Sequence, residues 1–435
     1  MSVGIAFSTR VLVVLVAMGV ALQANALTLQ EAFESAVKAE PALRASKYNK
    51  ESVEENIAIA RSRLLPQISI QGSTNQLTQT TSQDVPGGSS ISRSFTGPSA
   101  THQLVVRQSL FRPKDLAELS YAELQAEYAE LKYQSDLSEL WLRVTDAWID
   151  LIGAKQLVEV QLKPLQILND AAKQEAAKFA QGDSTRDLVA EVEAQFHFAN
   201  AAYQQTLHTL NIKQRTFELL TKIEATSLEG KRLNMYPQPL FTEMDRAQVW
   251  QRKRDNSFDL RLSEVQLLIQ RERIRMVRAD HLPTLDILAS WGSAKNDATS
   301  TQGYRYTNNQ IGIQYVVPIY NGGAISAAER QAHLAMNATL ADGEAISNRF
   351  ENDFQLTWST WLGQQARLQA GYKLIESSKE QLSASSRSFV HGVKSIADVA
   401  NSEIAHMRRN IDQINLSMEY YKYLARISKN DFSLD

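Results

Sequence analysis

Few side chains in this 435-residue chain are spaced for chemistry. His197 and His208 stand eleven positions apart and could share a helix face, but no third ligand lies near them to complete a metal site. Asn321-Gly322-Gly323 has the glycines of a phosphate-cradling loop without its lysine, and reads as a turn between a strand and a helix. Lys394 and Asp398 are four apart, near enough on one helix to pair, though in the less favourable order for the helix dipole. There is no G-x-S-x-G, no H-E-x-x-H and no clustered acid pair. There is also no cysteine, which excludes disulfides, thiolate metal sites, a thiol nucleophile and the acylated cysteine of a lipoprotein. The expectation is a protein that is not an enzyme and holds neither cofactor nor metal.

The elements around these residues say more. The formal net charge is only -2, with acids and bases mixed along the chain, so no nucleic-acid partner is indicated. Arg10, an apolar run over 11–22 and the Ala24-Asn25-Ala26 site read as a secretory signal over residues 1–26, cut between Ala26 and Leu27. That apolar run is short of the ~20 residues needed to cross a bilayer. No later segment has that length without charge, which excludes a helical membrane protein.

The mature chain repeats itself. Leu43-Arg44 and Pro66 return as Leu260-Arg261 and Pro283 at an offset of 217. Trp148, Gly153, Phe179 and Gly182 return as Trp358, Gly363, Phe389 and Gly392 at an offset of 210. The reading is a first structural repeat over 27–227, a connector over 228–240 and a second repeat over 241–435. Each copy opens with a helix pair, at 29–63 and 242–278, the first with a break before Pro41. Each closes with a very long helix, 114–180 and 322–387, then a glycine turn and a return helix, 187–220 and 396–427. The first long helix is one element or two in line, about 100 Å in extent, and Pro164 should kink or interrupt it.

Between these helices lie paired strand signals. Residues 66–73 alternate, with Ile68 and Ile70 opposite Gln67, Ser69 and Gln71, and 101–111 is their partner. In the second copy Leu285, Ile287, Ala289 and Trp291 alternate with polar residues, as do Ile311, Ile313, Tyr315 and Val317. The segments 74–100 and 293–308, rich in Ser, Thr, Gly and Asn, read as solvated loops. Such strands suit a soluble half-buried sheet or a membrane barrel alike. The export signal and the aromatics at strand ends, Phe111, Trp291 and Tyr320, favour the barrel. Four strands leave two open edges, which hydrocarbon does not tolerate, so two to four copies must close the sheet together.

The duplicated order of helix pair, two strands, long helix, glycine turn and return helix resembles the TolC family of outer-membrane efflux and secretion ducts. So do the junctions Leu110-Phe111-Arg112-Pro113 and Ile319-Tyr320-Asn321-Gly322-Gly323. The resemblance covers essentially the whole mature chain. It implies a mainly α fold with a small β part: a homotrimer whose long helical hairpins form a periplasmic α-barrel and whose four strands per chain make a shared 12-stranded transmembrane barrel in outer-membrane lipid. It implies as partners a periplasmic adaptor and an inner-membrane ABC exporter or proton-driven pump. Its iris-like gate falls on Lys394, Asp398 and Asn401, with Asp187 in the first copy and Phe389 where the family pattern has a tyrosine. Asn401 replaces a second acid, and the first-copy turn reads as one residue shorter, Gly182 to Asp187 against Gly392 to Asp398. Gly182, Asp183, Gly392 and Val393 fall where the family meets its adaptor. The cysteine-free N-terminus resembles members serving type I protein secretion more than lipid-anchored efflux ducts. The alternative is a soluble periplasmic helical scaffold or adaptor.

Overall fold

A computed structural model describes residues 27–228, 230–237, 240–297 and 304–428. The signal segment and Ala26 lie outside the described residues, and Leu27 is the first within them. The element order repeats. Helices α1 (Leu29–Ala39) and α2 (Pro41–Ser62), strands β1 (Gln67–Val85) and β2 (Ser89–Phe111), and helices α3 (Pro113–Gln181) and α4 (Arg186–Thr221) form the first series. The second is α5 (Arg246–Asp255), α6 (Phe258–Ala279), β3 (Thr284–Asn296), β4 (Tyr304–Val316), α7 (Ala324–Val390) and α8 (Ile396–Ile427).

Local chemistry sets the boundaries. Thr28 and Glu31 form a reciprocal capping box at the start of α1. Pro41 and Pro113 occupy first-turn positions, where a missing N–H costs nothing. Gly182 closes α3 at φ 87° and Gly392 follows α7 at φ 73°, a conformation that glycine adopts without a Cβ penalty. Pro164 does not interrupt the first long helix, which is one element and not two in line. It lies buried inside α3, which runs unbroken for 69 residues. One lost hydrogen bond is outweighed by the flanking ladder and by the packing of Leu165 and Leu168 against α4 and α8.

The helices form a wall, with α1 packed on α3 and α4 and with α4 also touching α8. Toward the sheet its order is α2, α3, α6, α7; toward the glycine turns it is α4, α3, α8, α7. Two aromatic-rich cores brace the middle. Leu140, Val144, Leu151 and Phe217 pack with α1 and Leu228, and Trp358, Trp361, Phe354, Tyr420 and Leu424 pack with Phe241 and Trp250. Both long edges of the wall are left apolar and exposed: Leu334, Leu340, Leu356 and Leu374 along α7, and Tyr48, Ile59, Phe198 and Ile212 along α2 and α4.

The sheet continues the same row, β1-β2-β3-β4, antiparallel throughout. Directly paired residues share a face. Ile68 pairs with Val106, Ile70 with Leu104, Leu104 with Trp291, Ala289 with Ile311, Ile287 with Ile313 and Leu285 with Tyr315, so all of them lie on one face. That face is open: Ile70 is 83% exposed, Ile311 77% and Tyr315 73%. The opposite face carries Gln67, Ser69, Gln71, Gln103, Arg107, Asp286, Ser290, Gln310 and Gln314.

The segment 74–100 is not a loop, and this is a correction. β1 and β2 continue through it in register up to Val85 opposite Ser89, around Pro86-Gly87-Gly88, with Gly87 and Gly88 at φ 123° and 87°. Above Asn75 and Ser99 the two strands stand as a ribbon without β3. Cross-strand hydroxyl pairs run along it: Thr78 with Thr96 at 2.9 Å, Thr80 with Ser94 at 3.1 Å and Ser82 with Ser92 at 3.3 Å. A polar, β-branched composition supports a two-stranded ladder as well as it supports a solvated loop. β3 and β4 likewise extend into 293–308, as far as Asn296 and from Tyr304.

Candidate functional site: the turn end of the helical hairpins

Each hairpin turns on its glycine in a similar way. The Asp183 N–H donates to the Lys178 carbonyl at 2.9 Å, and the Val393 N–H to the Ser388 carbonyl at 2.9 Å. Three residues past each glycine sits the N-cap of the return helix, Thr185 for α4 and Ser395 for α8. Their hydroxyls accept from the N–H of Leu188 at 3.4 Å and of Asp398 at 3.2 Å. The spacing from glycine to cap is therefore the same in both copies, and the first turn is not shorter. Leu188 occupies the position equivalent to Asp398, and Asp187 stands one residue earlier, exposed in the first turn of α4.

Asp398 closes a capping box. Its Oδ2 accepts from the Ser395 N–H at 2.9 Å and hydroxyl at 2.8 Å. These two bonds hold its carboxyl below the usual carboxylate range, the Ser395 N–H first, with Lys394 a lesser contributor. The second oxygen, Oδ1, takes neither bond, and the residue is exposed. Lys394 does not pair with it. Its Nζ donates to Ser385 Oγ at 3.0 Å, and Ser385 accepts in turn from Ser402 Oγ at 2.9 Å, so Lys394 ties the turn to the end of α7. Asn401 reaches across to α4, where its Oδ1 accepts from Gln195 Nε2 at 2.9 Å and its Nδ2 donates to Glu191 Oε1 at 3.5 Å. Phe389 offers its ring face to Lys178 Nζ, 5.6 Å from the centroid.

Lys394, Asp398 and Asn401 thus come together on the first turns of α8, beside the α4 face that carries Glu191 and Gln195. Asp187 lies one helical turn before Glu191 on that face. At the tips Gly182, Asp183, Gly392 and Val393 are all exposed, and Val390 and Val393 present bare apolar side chains.

Sequence reading missed the partners. Gln195, Glu191, Ser385 and Ser402 are ordinary polar residues on helices, and only the packing of α4 on α8 and of α8 on α7 brings them to Asn401 and Lys394. It also missed two buried acids. Glu175 is held by Lys178 Nζ at 3.3 Å and by Ser184 Oγ at 2.5 Å. Glu403 lies deep on α8, where burial pushes its carboxyl up against the opposing pull of Lys163. His197 and His208 are both exposed on α4, and no group of three metal-ligating side chains occurs among the described residues.

A second charged node stands where the sheet meets the helices. Asp286 of β3, 3% exposed, receives Arg107 Nε and Nη2 at 3.2 and 2.7 Å. It also receives Arg112 Nε on Oδ1 at 2.7 Å and Arg112 Nη2 on Oδ2 at 2.6 Å. It lies on the polar face, beside the register shift between Ser109 and Phe111, and fastens β2, β3 and the start of α3.

Comparison with known proteins adds what one chain does not contain. The sequence profile of the family described as "Outer membrane efflux protein" matches residues 32–221 and 249–429. The alkaline protease secretion protein AprF of Pseudomonas aeruginosa is 25% identical over 396 residues, covering 88% of this chain and 79% of that protein. The outer membrane protein TolC of Vibrio cholerae is 25% identical over 407 residues, 92% and 88% of the two chains. Among solved structures, the CmeC outer membrane channel of Campylobacter jejuni superposes with a TM-score of 0.75 at 14% identity, covering 92% of this chain and 84% of that one. A membrane protein from Pseudomonas aeruginosa gives 0.77 at 18% identity, covering 92% and 89%.

Proposed function

The chain belongs to the outer membrane efflux protein family, and we propose that three copies of it close one continuous duct with an iris at the glycine-turn end. It is an outer membrane channel that extends into the periplasm, and not an enzyme. A soluble scaffold or adaptor, the alternative drawn from sequence, is thereby set aside.

The observation that carries closure by several copies is the row of four strands with two unpaired edges and one bare apolar face, while the number three is what the family resemblance implies. Those edges need partners in hydrocarbon, and the apolar edges of the helical wall stand in line with them. The repeat supplies the register. Ile68 opposite Val106 in the first hairpin corresponds to Leu285 opposite Tyr315 in the second, at offsets of 217 and 209. Leu104 opposite Trp291, shifted by the same offsets, puts Ile313 opposite Thr74 of the partner subunit. A 13-residue strand tilted by about 40° rises roughly 34 Å, enough for an apolar band of about 25 Å.

At the other end three copies of Asp398 and Asp187 would ring a narrow axis and favour cations. Asn401 with Gln195 and Lys394 with Ser385 would hold the return helices closed within each chain. The exposed tips, with Gly182, Asp183, Gly392 and Val393, suit contact with a periplasmic adaptor, and energy would come from an inner-membrane ABC exporter or proton-driven pump. In planar bilayers the wild type should conduct and be blocked by divalent cations from the periplasmic side. Asp398→Ala should relieve that block, and unchanged block would remove Asp398 from the gate.

Protein cargo is favoured over small molecules. The relatives named for protease secretion, AprF and the PrtF protein of Dickeya chrysanthemi, support this reading. Complementing a strain that lacks the gene should restore secretion of a protein; restored drug resistance alone would contradict it.

A further inference from the structure

The apolar face of the sheet changes character above Trp291. The row Ile70, Leu104, Trp291, Asn309 is followed toward the hairpin ends by Gly72, His102, Ser293, Thr307, and then by Thr74, Ala100, Lys295, Arg305. Lys295 and Arg305 are directly opposite across the ladder. Like charges in that position repel and destabilise the pair unless an anion lies between them. Asp297 answers only part of this, with its Oδ2 2.6 Å from Lys295 Nζ. Arg305 is exposed and meets no acid among the described residues, and residues 298–303 contain neither Asp nor Glu.

Depth identifies the kind of anion that suits this pair. Lys295 lies four residues beyond Trp291, about 13 Å along the strand and about 10 Å in height at a tilt near 40°. Trp favours the boundary of the hydrocarbon, and the polar layer beyond it is roughly 5–7 Å thick on each side. Both side chains are long enough to bend back into that layer. A guanidinium binds phosphate through two parallel hydrogen bonds, and an ammonium binds it as a point charge.

We propose that Lys295 and Arg305 form a binding site for the phosphate of a lipid headgroup in the outer leaflet of the outer membrane. The site rests on the reading that the apolar face of the sheet meets lipid. It would anchor the channel at a fixed height and relieve the repulsion within the β3–β4 pair. A competing partner follows from the register derived above, which places Asp84 of the partner subunit diagonal to Arg305.

The test uses the full-length assembled protein and two probes, bisphosphorylated lipid A and its dephosphorylated form, in phosphatidylcholine vesicles. Retained lipid is counted by native mass spectrometry after extraction. The wild type should retain the phosphorylated form at least fivefold over the dephosphorylated form, and Lys295→Gln with Arg305→Gln should abolish that preference without changing vesicle insertion. An undiminished preference in the double variant, or no preference in the wild type, overturns the site. So does a loss of trimer heat resistance shared by Arg305→Gln and Asp84→Asn with lipid retention unchanged, which would assign Arg305 to an ion pair between copies. Failure of the wild type to insert at all removes the lipid-facing reading together with the site.

Discussion

Asp286→Asn is expected to loosen the junction between sheet and helices without unfolding the molecule. The carboxylate receives four hydrogen bonds from two guanidinium groups, and its side chain is 5% exposed. Removing one partner of a fully buried charge pair costs about 3–5 kcal/mol. Here the arginines are partly wet, with 43% of the Arg107 side chain and 26% of Arg112 exposed, so both rehydrate in part. Asparagine also keeps one acceptor oxygen. A cost of about 2 kcal/mol remains, or roughly 30-fold in a local opening equilibrium. Native-state hydrogen exchange on the β3 amides next to residue 286 reads this directly. Arg112→Gln should cost more than Arg107→Gln, because Arg112 engages both carboxylate oxygens and Arg107 only one. A change below about threefold in Asp286→Asn, or the reverse order of the two arginine variants, would refute the reasoning.

Two further outcomes follow from the hairpin ends. Burial raises the Glu403 carboxyl above its ordinary range, so the folded state holds that proton more tightly than the unfolded chain. Its contribution to stability is most favourable below the unfolded carboxyl pKa and declines as pH rises through the folded one. Glu403→Gln should therefore raise the thermal midpoint at pH 8 more than at pH 4; an equal gain at both would contradict the assignment. Ser395→Ala removes the hydroxyl that caps α8 and holds Asp398, at a cost of about 1 kcal/mol. Amides in the first turn of α8 should exchange about fivefold faster, with those near Gln413 unchanged; no change in the first turn would remove the cap from the account.

Elements with a one-dimensional signature were legible in the sequence. The span 396–427 read as a return helix coincides with α8, and the break before Pro41 separates α1 from α2. Apolar periodicity and a proline or glycine at the boundary suffice there. The ribbon above Asn75 was less legible because threonine and serine serve loops and ladders alike; Pro86-Gly87-Gly88 between a threonine-rich and a serine-rich run was the available sign of a hairpin. Pro164 does not break α3, because a proline's effect depends on the packing around it, and that packing comes from α4 and α8. The candidate gate residues Lys394 and Asn401 came from a resemblance, while the partners Gln195, Glu191 and Ser385 that they meet were not anticipated. Contacts between residues far apart in sequence leave no periodic mark on either helix. Comparison of the two turns from Asp187 and Asp398 suggested unequal lengths; measured from glycine to N-cap they are equal, since the hydroxyl cap, not the acid, fixes where each helix begins.

The claim that copies of this chain close one barrel through their free strand edges is open to a direct measurement, because the sequence contains no cysteine to interfere. Thr74→Cys with Ile313→Cys places one thiol on β1 and one on β4. Under mild oxidation in the membrane, the closed barrel predicts disulfide-linked dimers and trimers, and no larger species, on a denaturing gel. Monomers alone, or stronger linkage from the shifted pair Gln76→Cys with Ile313→Cys, would contradict the register and the closure it stands for.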